Sequence, residues 1–400
     1  MKRLPVDVSN FELMIKGNYL YIDKTKNIYE LITKRRLYFL SRPRRFGKSL
    51  LISTFKEIFS GNKSLFSELW IGKESSYNWQ EHPVIQLDFS NLSFETSEEF
   101  KISLSRRLDK IAQNYGIDLS LDQLPGGKIE TLVESLAQRN KVVILIDEYD
   151  APLLNNLDNL DIARAIQKVM KHFFSVIKSL DAFGHIHAIF ITGVTKFAKT
   201  SIFSGFNNLN DMTLSPETSM LLGYSFDELQ NNFGDYAQEF SKKNKITISD
   251  LFEILKNKYD GYRFSSDPIY VYNPYSVINC FDKNKIANYW LETGTPKFLI
   301  ELLKKNYAAL TDIQTKQMSS KFLSTFEIGE LPLIPILYQA GYVTIADYNV
   351  ENETYSLKFP NEEVSLSFNE YLIASLTETN ERPFDRPHGR TQDENEEYSC

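Results

Sequence analysis

An apolar run, Leu37-Tyr-Phe-Leu40, leads within a few residues into Gly47-Lys48-Ser49, and this pairing limits the fold more than any other feature of the chain. A strand ending near Ser41, a tight loop and a helix opening at Lys48 would turn backbone N–H groups and the positive end of the helix onto phosphate oxygens. Lys48 is then placed to reach β- and γ-phosphates, and the Ser49 hydroxyl to hold Mg²⁺. The loop departs from the usual pattern in one respect. Where the first glycine of such a loop stands, five positions before Gly47, this chain has Arg42, followed by Pro43. A side chain at that slot adopts positive φ less readily than glycine, so the loop is expected to bend differently.

About a hundred residues later comes Val142-Val-Ile-Leu-Ile-Asp-Glu148, whose apolar run reads as a strand buried on both faces of a parallel sheet. Two acids close it. At the carboxyl end of such a strand Asp147 can hold Mg²⁺ or its water and Glu148 can orient and deprotonate an attacking water. The bland reading is a strand that ends in solvated acids. A third strand, His187-Ala-Ile-Phe-Ile-Thr-Gly193, ends near Thr192 and Thr195, either of which can present a hydroxyl to a γ-phosphate or simply cap a turn. Asp88, closing the apolar segment 83–89, is a metal-assisting acid or a strand-end turn acid, the second being the simpler.

Strands are expected at 37–41, 83–89, 142–147 and 186–192, with a weak one at 211–215, and helices at 49–60, 97–114, 128–139 and 161–180. The alternation implies an α/β doubly wound parallel sheet. From about residue 221 the pattern turns helical, with Ser225 and Glu228 spaced as a capping box. Farther on, a helix over 333–340, a break at Gly341 and a hairpin formed by 342–348 and 355–359 suggest a winged helix. The expected division is an NTPase domain over 1–220, a helical lid over 221–300, a winged-helix-like domain over 301–378 and a disordered tail over 379–400.

Six ordered motifs, Tyr21-Ile-Asp-Lys-Thr25, Arg42-Pro-Arg-Arg-Phe-Gly-Lys-Ser49, Ile144-Leu-Ile-Asp-Glu-Tyr-Asp150, Thr192-Gly-Val-Thr195, Phe203-Ser-Gly-Phe-Asn-Asn208 and Tyr259-Asp-Gly-Tyr-Arg-Phe264, together closely resemble the prokaryotic AAA-ATPase-like proteins. The resemblance runs from about residue 4 to about residue 375, and the arginine at position 42 agrees with that family's own motif. It implies a P-loop ATPase with an additional strand, then a helical and winged-helix region. Longer relatives often carry a C-terminal PD-(D/E)xK nuclease domain; no Asp followed by Glu-x-Lys on paired strands comes after the hairpin, so that domain is expected to be absent. ATP and Mg²⁺ are the implied cofactors. The expected phosphate-binding residues are Arg44, Arg45, Phe46, Gly47, Lys48, Ser49 and Leu50; Ser49 and Asp147 hold the metal, Glu148 activates water, and Thr192 or Thr195 senses the γ-phosphate. A closing lid or a neighbouring copy should supply a further cation: Arg263, Lys196 and Lys199 are candidates, with Arg42 or Arg45 behind them. For Arg263 a packed Tyr/Arg turn is the bland alternative.

Composition bounds the rest. At 400 residues and 42% apolar content the chain fills more than one core. Cys280 and Cys400 cannot make a disulfide framework, and no uninterrupted apolar stretch reaches the ~20 residues of a membrane span, so a soluble cytoplasmic protein is expected. A formal charge of −7 argues against a surface that coats nucleic acid. Lys34, Arg35, Arg36, Arg42, Arg44 and Arg45 nevertheless cluster near the loop, as a nucleic-acid channel, a subunit contact or a solvated basic edge. The hairpin turn, with Asp347, Glu351 and Glu353, favours a protein partner over phosphate contact. Two alternatives to an ATP-driven switch are therefore a nucleotide-gated interaction module with little turnover and a nucleic-acid-handling ATPase subunit.

Overall fold

The computed structural model describes residues 1–196, 202–203, 206, 208–290, 317–324 and 332–376. Its centre is a five-stranded parallel sheet of β1 (Leu37–Ser41), β2 (Val84–Asp88), β3 (Val142–Asp147), β4 (Ile186–Gly193) and β5 (Asn210–Asp211), in the order β2-β3-β4-β1-β5. Every residue of β1 and β3 is buried, which is why their apolar runs are continuous rather than alternating. Strand β4 lies between β1 and β3, so the two motif-bearing strands are not neighbours.

The chain leaves β1 through α3 (Lys48–Phe59), following the short α1 (Phe11–Lys16) and α2 (Thr25–Lys34), and crosses to β2 at the far edge past α4 (Trp70–Lys73). It then reverses direction through α5 (Ser97–Asn114) and α6 (Pro125–Ala137) to β3, and through α7 (Ala151–Leu154) and α8 (Leu160–Ala182) to β4. Right-handed crossovers that reverse direction must lie on opposite faces, which makes the sheet doubly wound. Helix α3 packs on β2, β3 and β4, while α5, α6 and α8 pack on one another on the other side.

Two boundaries differ from the sequence expectation for local reasons. Helix α6 opens at Pro125 rather than 128, because proline at the first helical position loses no needed hydrogen bond and brings a helical φ. Strand β5 ends at Asp211, where the Asp211 carboxylate accepts from Thr213 N at 3.0 Å and turns the chain away.

Beyond the sheet, α9 (Phe226–Asn244), α10 (Ile248–Tyr259) and α11 (Pro274–Asp282) build a second core around Leu229, Phe233, Phe240, Leu255, Tyr259 and Phe281. The capping box of Ser225 and Glu228 is formed. Leu20 and Ile22 pack into this same core, so the N-terminal segment belongs to the helical region as much as to the sheet. After β6 (Met318–Ser319) and α12 (Ser320–Ser324), helix α13 (Leu333–Ala340) ends at Gly341 with φ 91°. An antiparallel hairpin follows, β7 (Thr344–Asn349) with β8 (Thr354–Lys358), and β6 pairs with β8. Helix α14 (Glu362–Leu376) comes last. Ile345, Leu357 and Leu337 share one apolar cluster with the sheet, so this helix-and-hairpin unit rests on the same core as the sheet. Residues 379–400, expected to be disordered, and 301–316 fall outside the described residues.

Glu363, at the start of α14, ties that helix to the helical region: its buried carboxylate accepts from Tyr289 N at 2.5 Å, Trp290 N at 3.0 Å and Ser276 Oγ at 2.7 Å. Burial outweighs these donors and pushes its pKa up from 4.5 to about 6. The folded protein then binds more protons than the unfolded chain between those values, and stability falls as pH rises through that window. The Glu363→Gln variant should lack this slope. In urea unfolding from pH 4.5 to 7 the parent should lose on the order of 2 kcal/mol relative to the variant; parallel curves would remove Glu363 as the cause.

Candidate nucleotide-binding site

The loop after β1 resolves the arginine in the glycine slot. The left-handed positions of the loop are Arg45, with φ 69°, and Gly47, with φ 87°, and Arg42 is not among the positive-φ residues of the chain. Position 42 therefore needs no glycine. Its side chain is buried and donates to Ser41 O at 2.9 Å, Thr213 O at 2.8 Å and Thr218 O at 3.1 Å, with the guanidinium 4.3 Å from the centre of the Phe264 ring. Burial lowers its pKa to about 10, which still leaves a cation at neutral pH.

The outer side of the loop is packed throughout. Phe46 is buried against Tyr262 and Phe264, with ring centroids at 4.8 and 5.3 Å. A Cβ added at Gly341 would lie 2.7 Å from Pro43 Cβ, so only glycine lets the end of α13 approach the loop this closely. Trp290 Nε1 donates to Arg44 O at 3.4 Å. Of the phosphate-site residues expected from sequence, Phe46 thus has its ring in the core.

The inner side carries the polar groups. Lys48 is buried, donates to Pro43 O at 3.0 Å and lies 4.0 Å from Glu148 Oε1. Burial pushes the Asp147 carboxyl up to about 6, against the lowering influence of the neighbouring Ser49 and the charge of Lys48. Glu148 takes a left-handed φ of 49°, uncommon for a non-glycine residue, and its N–H donates to Asp147 Oδ1 at 3.0 Å. Strain of this kind persists only where surrounding contacts impose it, as at functional sites.

Register places Thr192 with these groups. Asp88 pairs with Asp147, Leu40 with Thr192, and Ile146 with Ile191, so Asp88, Asp147, Thr192 and Leu40 form one row across the strand ends and share a face. The Thr192 hydroxyl is buried and has no hydrogen-bond partner among the described residues. A buried orphan hydroxyl calls for a ligand or water to satisfy it. Thr195 differs: its Oγ1 donates to Asp150 at 2.7 Å. Asp88 accepts from Ser90 N and Ser90 Oγ at 2.9 and 2.7 Å, which makes it the turn acid.

The expected lid cations are placed elsewhere. Arg263 is buried and donates to the carbonyls of Ser265, Ser266, Asp267 and Ala346, stitching a turn to β7; it does not line the cavity. The sequence expectation for Arg263 is corrected on that ground, since a guanidinium held by four carbonyls is not available to a phosphate. Buried Lys196 has its Nζ 2.7 Å from the half-buried Asp211 carboxylate. Lys199 lies outside the described residues. His187 stacks on His82 with ring centroids 3.8 Å apart, and burial with neighbouring charges lowers its pKa to about 4. Among the described residues no group of three or more His, Cys, Asp or Glu could hold a metal. Ser49 and Asp147 still fit Mg²⁺, which keeps several waters and takes one or two protein oxygens beside phosphate.

A cavity of about 660 Å³ opens against the loop, lined by Arg44 through Leu51, Thr54 and Glu148 on one side. Its other walls come from the N-terminal segment, with Val8, Ile22 and Lys24, and from Leu222, Tyr275 and Ile278 of the helical region. Sequence reasoning assigned no role to these. The signal was present in Tyr21-Ile-Asp-Lys-Thr25: Asp23 accepts from Thr25 N at 2.8 Å and Trp70 N at 2.7 Å to open α2, which points Lys24 to Glu228 at 2.6 Å. At the cavity mouth Arg45 stacks on Tyr275 at 4.4 Å and lies 4.0 Å from Asp7.

The loop, the acid-ended strand and the strand inserted between them define a P-loop NTPase fold. Residues 5–203 match the family model described as "AAA-ATPase_like: Predicted AAA-ATPase". A protein of Azotobacter chroococcum mcd 1, "Uncharacterized protein in vnfD 5'region", is 34% identical over 377 residues, covering 93% of this chain and 70% of that protein. This chain belongs to the predicted AAA-ATPase family, and with it to ATPase-like nucleotide-binding proteins. A solved structure, the Aeropyrum pernix ORC1 protein in complex with DNA, aligns over 88% of this chain and 94% of that chain, at 10% identity and a TM-score of 0.29. At that level the DNA is a property of that complex alone. No helix among the described residues is long and apolar enough to cross a membrane.

Arg42→Gly, although it restores the common loop residue, should destabilise the protein by about 3 kcal/mol or more, because three carbonyls lose a charged donor and the Phe264 ring loses its partner. Denaturant unfolding measures this. A neutral or stabilising result would mean that Arg42 is not the anchor of the loop.

Proposed function

We propose that this protein binds MgATP in the cavity beside residues 42–49 and hydrolyses it, using the cycle to shift the helical region and the helix-and-hairpin unit. The observation that carries this reading is the insertion of β4 between β1 and β3, which sets Lys48, Ser49, Asp147, Glu148 and the orphan Thr192 hydroxyl around one strand-end row. Phosphoryl transfer to water needs positioning and charge neutralisation more than covalent chemistry, and these groups supply both.

In this reading the backbone N–H groups from Arg44 to Lys48 hold the phosphates, and Lys48 leaves Pro43 O to reach them. Ser49 and Asp147 hold Mg²⁺, which would supply charge neutralisation on the phosphate oxygens. Glu148 orients and deprotonates water, and Thr192 holds the γ-phosphate; Thr195 yields that role because its hydroxyl is committed to Asp150. With Arg263 and Lys196 held elsewhere, Arg44 and Arg45 on the cavity wall are the candidates for further neutralisation. The base and sugar would occupy the apolar end formed by Val8, Ile22, Leu222 and Tyr275.

Coupling to the C-terminal half is favoured by the contacts on the loop's outer face, from Phe264, Tyr262, Gly341 and Trp290. A protein partner is the better fit for the hairpin, whose turn carries Glu351 and Glu353 and would repel nucleic-acid phosphates.

Lys48→Ala should lower ATP affinity about 100-fold in calorimetric titration, since a buried charged donor to phosphate is lost. Equal affinities would remove the loop from the site. Glu148→Gln should keep binding and reduce turnover by about 10²–10⁴-fold; an unchanged rate would move the base elsewhere, and lost binding would point to a metal or structural role.

A further inference from the structure

Asp150, two residues beyond Glu148, is fully buried, and its carboxylate accepts from the turn after β4. Its Oδ1 accepts from Val194 N at 3.2 Å, and its Oδ2 from Thr195 N at 2.6 Å and Thr195 Oγ1 at 2.7 Å. The same two turns are joined twice more, by Tyr149 N to Thr192 O and by the Tyr149 hydroxyl to Thr195 O, each at 3.1 Å. A Cβ added at Gly193 would lie 2.5 Å from Asp150 Oδ1, so the approach depends on glycine. The clamped turn also reaches the root of the phosphate loop: Ser41 Oγ donates to Val194 O at 2.6 Å and Arg42 N to Gly193 O at 3.1 Å.

We propose that Asp150 is a positioning residue for hydrolysis, locking the turn at 193–195 to the end of β3 and so holding Glu148 in its left-handed conformation with Thr192 alongside Asp147. The proposal rests on the hydrolysis reading above. Asp150 itself is not the base, because its oxygens are taken by backbone and hydroxyl donors and water does not reach it. Chain geometry explains the need: a left-handed φ is uncommon for a residue such as Glu148, and a turn fixed one residue later by Tyr149 N and two residues later by Asp150 adds long-range contacts to the local bond with Asp147.

The test compares full-length parent, Asp150→Asn, Thr195→Val and Thr195→Ser. Asparagine keeps the size but turns an amide donor toward a backbone N–H, and valine deletes one clamp bond alone. Asp150→Asn should bind MgATP within about threefold of the parent by calorimetry while its single-turnover rate falls about 10- to 100-fold, with the parent's pH dependence retained. Thr195→Val should lose rate in the same way, and Thr195→Ser should recover most of the loss. A parental rate in Asp150→Asn overturns the positioning role, as does a rate loss matched by equal losses of affinity and melting temperature, which would mark a merely structural residue. A flattened pH profile would make Asp150 the base and overturn it too. If Asp150→Asn does not fold, the Thr195 pair decides, and equal rates for valine and serine sink the proposal. A parent that binds MgATP without turning it over removes the hydrolysis reading first and this role with it.

Discussion

Parallel pairing fixes side chains in rows, and the placement of β4 between β1 and β3 uses that property to assemble the site. Strand ends in a parallel sheet all face one edge, so whatever follows each strand is delivered to the same place. Here β1 delivers the loop, β3 the acids and β4 a hydroxyl. Neither α3 nor the cavity would have its position if this order were altered, because the helix starts where the loop leaves the sheet. The hydrogen bonds among the three strand ends then refine the arrangement to the scale on which chemistry is sensitive.

The loop has two faces with different duties. Backbone amides and Lys48 face the cavity, while Arg42, Pro43 and Phe46 face the C-terminal half and are buried there. A glycine-rich loop gains its shape from permissive dihedrals. This one gains it from outside contacts instead, which makes the shape of the loop and the seating of Phe264, Trp290 and Gly341 a single packing problem. Interiors are close-packed, so a change on one side is felt on the other.

Much of the fold was legible because its signals are local. Continuous apolar runs announced β1 and β3, and Ser225 with Glu228 announced the start of α9. The positions of Lys48, Ser49, Asp147 and Glu148 at strand ends were legible for the same reason, since each follows directly on its strand or loop signal. What could not be read was any matter of which side chain meets which across long separations. Thr192 and Thr195 look equivalent in sequence, and only the position of Asp150 distinguishes a committed hydroxyl from an orphan one. Arg263 looks available until Ala346, far along the chain, is seen to accept from it. Val8 and Leu222 carry no signature at all, because an apolar cavity wall and an apolar core use the same residues.

The cavity wall formed by the N-terminal segment bears on the order in which the molecule can be built. Lys24 meets Glu228 across 204 residues, and Leu20 and Ile22 share a core with Phe281. During synthesis Leu20, Ile22 and Lys24 must therefore wait for these partners until more than half of the chain has emerged. Contacts so far apart close late, since loop entropy is lost before they repay it. The central strands can assemble earlier, from β1 to β4, but the chamber beside them is enclosed only at the end. Competence to hold a ligand is on this account a late event in the maturation of the chain, separate from the formation of its sheet.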